Sequence, residues 1–545
     1  MNPNILIILA DDLGFSDVGC YGSEIKTPNI DELSKNGLRY TQMYNSARCC
    51  PSRASLLTGL SPHQAGIGWM AHNLNIHSNY QGYLNKNCIT LAEICKLAGY
   101  NTFLSGKWHV GNQYSPYNPK SWIPGSPGWP TPNQRGFDDF YGTLDGAGSY
   151  FNPHTLMLND RFIKPESTDF YYTDEISKYA CDFISNFNSK NKKPFFGYIS
   201  FTAPHWPLHA KDEDISLFEK EYKKGWDYIR TARHEEQIHL NVISKNWEIS
   251  PRDLNSWEFS KSKYPNWESK RMSVYAAQVF SMDKAIGKII NQLKKLNILD
   301  NTLVMFMSDN GGCAEFLKED TDRESWGRYN IPTIDGRQIK IGNIPELEPG
   351  PDDTFMSYDL AWANVSNTPF RLFKSWVHEG GISTPFIVSW PKCVPKNEIR
   401  NCPIHFVDIM ATFLEIIQIK YPDYFRNNKI QPIQGESFLS SFKNNYWTRI
   451  RPIWFEHEGN RALREGDWKL VNRHGEKWEL YNISEDRTEQ NDFSNKETKR
   501  LKNMITTWDE ISRGYDIQNL NGKWNNIAIN HIKDWELVRK KFVSF

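Results

Sequence analysis

The residues Asn4–Ala10 read Asn-Ile-Leu-Ile-Ile-Leu-Ala and stop abruptly at Asp11-Asp12. Such a run has no polar face, so as a strand it must be covered on both sides, within a sheet flanked by helices. Further apolar runs at 99–104, 194–201, Thr302–Ser308 and 385–390 are strands of the same kind. Between them lie helical segments from Leu56, over Leu91–Leu97, and over the long amphipathic stretch 272–296. Strands alternating with helices predict an α/β fold: a large central sheet, mostly parallel or mixed, with helices on both faces. In such sheets ligands collect at the carboxyl ends of the strands. Polar residues fall at those ends: Asp11 and Asp12, Lys107 and His109, His205, and Asp309-Asn310.

At 545 residues the chain exceeds one typical domain. The segments 211–270 and 314–362 are polar, charged and rich in Trp, Tyr and Pro, and read as insertions that shape the mouth of a cleft. After residue 445 the pattern changes to short alternating runs at 452–457, Trp468–Asn472 and 478–483, followed by a helical stretch at 498–512. The expected organisation is a large domain over 1–445 and a C-terminal subdomain over 446–545 with a small antiparallel sheet and a helix. Lys+Arg and Asp+Glu each number 64. That balance argues against bulk electrostatic binding to nucleic acid or an anionic membrane, so an anionic ligand needs a local positive site. Nine cysteines, an odd number without compact spacing, do not form a disulfide framework. The N-terminus has no basic leader region, and its apolar run is too short to span a membrane. As it stands the chain reads as cytoplasmic; a trimmed leader would place it in the periplasm or outside the cell.

Around position 50 the chain reads Arg-Cys-Cys-Pro-Ser-Arg-Ala-Ser-Leu-Leu-Thr-Gly from Arg48 to Gly59. Pro51 suits the first turn of a helix, where it has no N–H to lose. A residue just before that turn faces unpaired N–H groups and the positive dipole end, a place suited to sulfate or phosphate. Arg53, about one turn on, is near enough to hold an anion. Buried thiols or a disulfide would fit Cys49 and Cys50 too, whereas a metal site there lacks an accompanying CxxC or HxxxH. Asp11, Asp12, Asp309 and Asn310 offer hard oxygen donors suited to Ca²⁺ or Mg²⁺ rather than Zn²⁺. Taken singly, each acidic pair also fits a helix cap or a turn. Lys107 and His109 are two apart, and an extended segment points both to one face. His205 stands between Pro204 and Pro207, which restrict its backbone. Lys374, within 370–376, carries the least signal of the set and alone reads as a surface lysine.

Together these residues resemble the type I, formylglycine-dependent sulfatases of the alkaline phosphatase-like superfamily, and within them the bacterial arylsulfatases. The likeness is carried by 9–17, the run at Cys49, 62–68, 106–111, 203–208, 306–312, 379–385 and 466–470. It implies that Cys49 is oxidised to formylglycine by a maturation enzyme, because Cys50 stands one residue too close to Pro51 and Arg53. It implies that Arg53 stabilises that group and that Asp11, Asp12, Asp309 and Asn310 hold Ca²⁺, with Mg²⁺ as the alternative. Lys107, His109, His205 and Lys374 would surround the sulfate, although Leu372-Phe373 stand where the family often has small residues. The implied mechanism has a hydroxyl of the hydrated aldehyde attack sulfur, with Asp309 and the metal activating it. His205 and Lys374 protonate the departing alcohol, and His109 then drives sulfate release. The expected substrate is an aryl sulfate or a sulfated carbohydrate. A phosphonate monoester or phosphodiester hydrolase of the same superfamily is the alternative, and a non-catalytic glycan-binding protein the remote one.

Overall fold

A computed structural model describes residues 2–72, 74–112, 122–190, 193–253, 256–319 and 329–544. Its centre is an eleven-stranded mixed sheet. Asn4–Ala10 runs parallel between Phe195–Ser200 and Thr302–Ser308, with Leu9 opposite Ser200 and Ala10 opposite Ser308. Asn101–Gly106 continues in parallel beside Phe195–Ser200, and Asp139–Thr143 lies beyond it. On the other side Ser383–Ser389 is antiparallel both to Thr302–Ser308 and to Leu38–Tyr44. The carboxyl ends of the parallel strands and the amino end of Ser383–Ser389 therefore share one edge of the sheet.

Both faces of the sheet are covered, as the unbroken apolar run demands. Ile5, Ile7 and Leu9 join one core with Met305, Met307 and residues of the helices Leu91–Leu97 and Asp408–Ile417. Leu6, Ile8 and Ala10 join the other, with Val304, Phe306 and the helix Pro265–Lys295. Full burial of each such side chain contributes about 1.5–3 kcal/mol, and polar substitution has no exposed face to use. Trp226, from the segment 211–270, and Trp362, from 314–362, are buried against each other, with ring centroids 5.6 Å apart.

The C-terminal part forms a four-stranded antiparallel sheet of Ile453–His457, Asn460–Glu465, Trp468–Asn472 and Trp478–Asn482. The helix Thr498–Gly514 packs on it through Met504 and Trp508. Two elements here escape a sequence reading. Asn460–Glu465 has its apolar residues, Ala462 and Leu463, adjacent rather than alternating. The helix Asn521–Phe542 buries only Trp524, Val538 and Phe542, too few to mark an apolar stripe. It runs back towards the helix Pro265–Lys295, where the Phe542 ring lies 5.4 Å from Trp267 and 5.8 Å from Phe316. Among the described residues no helix is long and apolar enough to cross a membrane.

Candidate active site

Cys49 is the first residue of the helix Cys49–Thr58, not the residue before it. Arg48 takes the capping position in an extended conformation and supplies no capping hydrogen bond. Pro51 has no N–H and the Ser52 N–H donates to the Arg48 carbonyl, so the N–H groups of Cys49 and Cys50 are the ones left for a ligand. Cys49 faces a cavity of about 400 Å³ that His109, His205 and Lys374 also line. His109 is not on an extended segment: its φ is +55°, a left-handed turn that follows the strand Asn101–Gly106. Lys107 Nζ donates to Asp11 Oδ2, and the His109 ring lies against the two cysteines. Burial pushes the His109 imidazole down to about 4.

The oxygen donors converge from two adjacent strands. Asn310 Nδ2 donates to Asp12 Oδ1 at 2.7 Å, and the Asp12 backbone N–H donates to Asp309 Oδ1 at 3.2 Å. Asp11 Oδ1 and Asn310 Oδ1 are buried without a hydrogen-bond partner. An unsatisfied buried oxygen costs about 1–3 kcal/mol, so its persistence at a carboxylate cluster signals a ligand. Burial drives the Asp11 carboxyl well above its ordinary range against the pull of Lys107. A bound divalent cation would relieve both, and an all-oxygen donor set suits a hard ion. The residues fit a metal.

The cations are divided into two shells. Arg53 is fully buried, with Nε and Nη2 both 2.8 Å from Asp309 Oδ2 and Nη1 bonded to Ser200 Oγ. Arg53 and Lys107 are thus tied to the carboxylates of Asp309 and Asp11, and neither is among the residues that line the cavity. Lys374 faces the cleft. Its Nζ is 2.9 Å from Asp12 Oδ2 and 3.2 Å from His205 Nε2. Burial would raise the Asp12 carboxyl, but His205 and Lys374 outweigh it and hold Asp12 below its ordinary value. His205 Nδ1 lies 2.6 Å from the Trp206 carbonyl, which can only accept, so Nδ1 carries the proton and Nε2 accepts from Lys374.

Sequence reasoning missed Glu315. Its carboxylate takes hydrogen bonds from Arg48 Nη2 at 2.7 Å and Trp206 Nε1 at 2.8 Å, and lies 3.7 Å from Lys374 Nζ. Burial raises it, yet Lys374 and Arg48 prevail and keep it ionised well below the usual carboxylate range. It also missed His531 and Trp535, which the last helix brings to the cleft wall. Their rings stack at 6.0 Å and pack on Trp376. A polar helix at the far end of the chain gives no signal of that docking.

The model of the Sulfatase family matches residues 3–419, and that of the N-sulphoglucosamine sulphohydrolase C-terminal region matches 370–511. An uncharacterized sulfatase of Schizosaccharomyces pombe is 32% identical over 543 residues, covering 93% of this chain and 92% of the relative. The arylsulfatase of Klebsiella aerogenes is 31% identical over 463 residues, covering 82% and 93%. A crystal structure of Ps i-CgsB in complex with k-i-k-neocarrahexaose superposes with a TM-score of 0.64 at 27% identity, covering 94% and 93%.

Proposed function

This chain belongs to the sulfatase family and is a sulfuric ester hydrolase, and we propose that it releases inorganic sulfate from an aryl or sugar sulfate with Cys49, in its formylglycine form, as nucleophile. The observation that carries this reading is the meeting of Cys49, His109, His205 and Lys374 in one cavity beside Asp11, Asp12, Asp309 and Asn310. A maturation enzyme that oxidises Cys49 is the required transient partner. Ca²⁺ held by the four oxygen-donor residues would supply positive charge beside the transferring group. Arg53 and Lys107 orient Asp309 and Asp11, and so fix the geometry of that site. Lys374 and His205 share the proton destined for the departing oxygen, since Nζ donates to Nε2 in the resting arrangement. His109, within 4.8 Å of residue 49 and buried as a neutral imidazole, accepts the proton whose removal allows sulfate to leave.

An aryl sulfate should turn over faster than the matching aryl phosphonate; the reverse order would assign the chain to phosphonate or phosphodiester chemistry. Ca²⁺ at about a hundred times its Kd should stabilise the fold by about 2.7 kcal/mol, read as a higher melting temperature than in chelator. An unchanged melting temperature would remove the metal from the site.

A further inference from the structure

Cys50 is a buried nucleophilic group that the proposed reaction leaves unused. Its Sγ lies 3.2 Å from His109 Nε2 and accepts from the Ala71 N–H at 3.3 Å. One ligand atom from each of Cys49, Cys50 and His109 lies within 4.8 Å of the other two, and all three residues are buried. The sequence expectation that the cysteine pair has no further ligand is therefore corrected: the left-handed turn at His109 brings in an imidazole from 59 positions away. Two sulfurs and an imidazole nitrogen form a soft donor set, which selects Zn²⁺ or Cd²⁺ and discriminates against Ca²⁺. Cys49 and His109 open on the cleft, which gives an ion an entry path and leaves a fourth position for water.

We propose that Cys49, Cys50 and His109 form a soft-metal site of the Zn²⁺ type that exists only while residue 49 is a thiol. Binding releases one proton from each thiol, so two thiolates neutralise the divalent cation and neutral His109 completes the protein ligands. The site is chemically distinct from the all-oxygen set of Asp11, Asp12, Asp309 and Asn310. A bound soft ion and oxidation of Cys49 exclude one another, because the ion covers the sulfur that oxidation consumes; this consequence rests on the formylglycine reading.

The test uses the full chain with Cys49 unoxidised, in excess Ca²⁺ to fill the oxygen site, titrated with Cd²⁺ while sulfur-to-metal ultraviolet absorption is followed. The expected result is saturation at a single equivalent, with binding weakened more than about 100-fold in both Cys50→Ser and His109→Gln, beyond the effect of losing an outer-shell partner. Thermal unfolding without Cd²⁺ establishes that each variant is folded. No sulfur-to-metal absorption at saturating Cd²⁺, or unchanged binding in the two variants, would overturn the proposal while leaving the sulfatase reaction intact. Full activity from unoxidised Cys49 would have the opposite meaning: the proposed nucleophile fails and the metal site stands.

Discussion

Cys49→Ala is expected to lower sulfate ester turnover by about 10⁵- to 10⁶-fold, the loss typical of deleting a nucleophile that works as a unit with its partners. The reason is positional. Cys49 opens on the cleft within the set formed by His109, His205 and Lys374, whereas Cys50 is fully enclosed and turned to His109 and Ala71. Cys50→Ser keeps a small polar group at those contacts and should cost far less. Mass spectrometry of the peptide carrying both residues supplies the second readout. Residue 49, and not residue 50, should lose its thiol mass and react as an aldehyde after co-expression with a maturation enzyme. A fully active preparation in which Cys49 remains a thiol would falsify the assignment. The Cys49→Ala variant should unfold at nearly the parent temperature, because the lost group lies at a cavity wall and leaves no new enclosed void.

Much of this site was legible because its residues follow buried strands. The run Asn4–Ala10 has to lie at the centre of a two-faced sheet, so Asp11 and Asp12 have to emerge at a carboxyl edge. Asp309 and Asn310 follow from the neighbouring strand by the same logic. Lys374 shows the limit of that reasoning. It follows no strand, and a hydrophobic pair precedes it, yet its Nζ bridges Asp12 and His205. Its placement depends on backbone contacts across the chain: the Lys374 N–H donates to the Gly312 carbonyl, and that of Ser375 to Ala47. No local pattern encodes such pairings. Glu315 was invisible for a related reason, since a carboxylate in a polar insertion looks solvated until Arg48, Trp206 and Lys374 are seen to enclose it. The last helix was missed because its burial depends on a distant partner surface and not on its own periodicity.

Glu379→Ala should destabilise the protein by about 3–5 kcal/mol, the usual consequence of removing one partner from a buried ion cluster. Glu379 opens the helix Glu379–Ile382, just before the edge strand Ser383–Ser389, and is fully buried. Its Oε1 takes a bond from Lys469 Nζ at 2.9 Å, and its Oε2 from Arg487 Nε at 2.8 Å and the Tyr44 hydroxyl at 3.0 Å. Lys469 belongs to the C-terminal sheet and Arg487 follows it, so this one carboxylate ties that sheet to the central one. Two sequence stretches that look unrelated, 379–385 and 466–470, thus meet as the two halves of an ion pair. Glu489 Oε1, 2.7 Å from Lys469, can compensate one cation, but the Arg487 guanidinium would keep no carboxylate partner, holding the Ser383 hydroxyl and the Thr41 carbonyl beside the rings of Phe370 and Tyr44. Burial alone would raise the Glu379 carboxyl, yet Lys469 and Arg487 outweigh it and bring it to about 2. A carboxyl held below its unfolded value of about 4.3 stabilises fully above that pH, and the contribution disappears as the pH falls towards about 2. Denaturant unfolding at neutral pH should therefore show the full difference between parent and Glu379→Ala, and the gap should narrow through pH 4 to 3. Lys469→Met combined with Glu379→Ala should cost less than the sum of the separate losses, because each single change strands a charge that the other removes. A single-variant loss below about 1 kcal/mol, the range of an exposed pair, would show that the cluster does not join the two sheets.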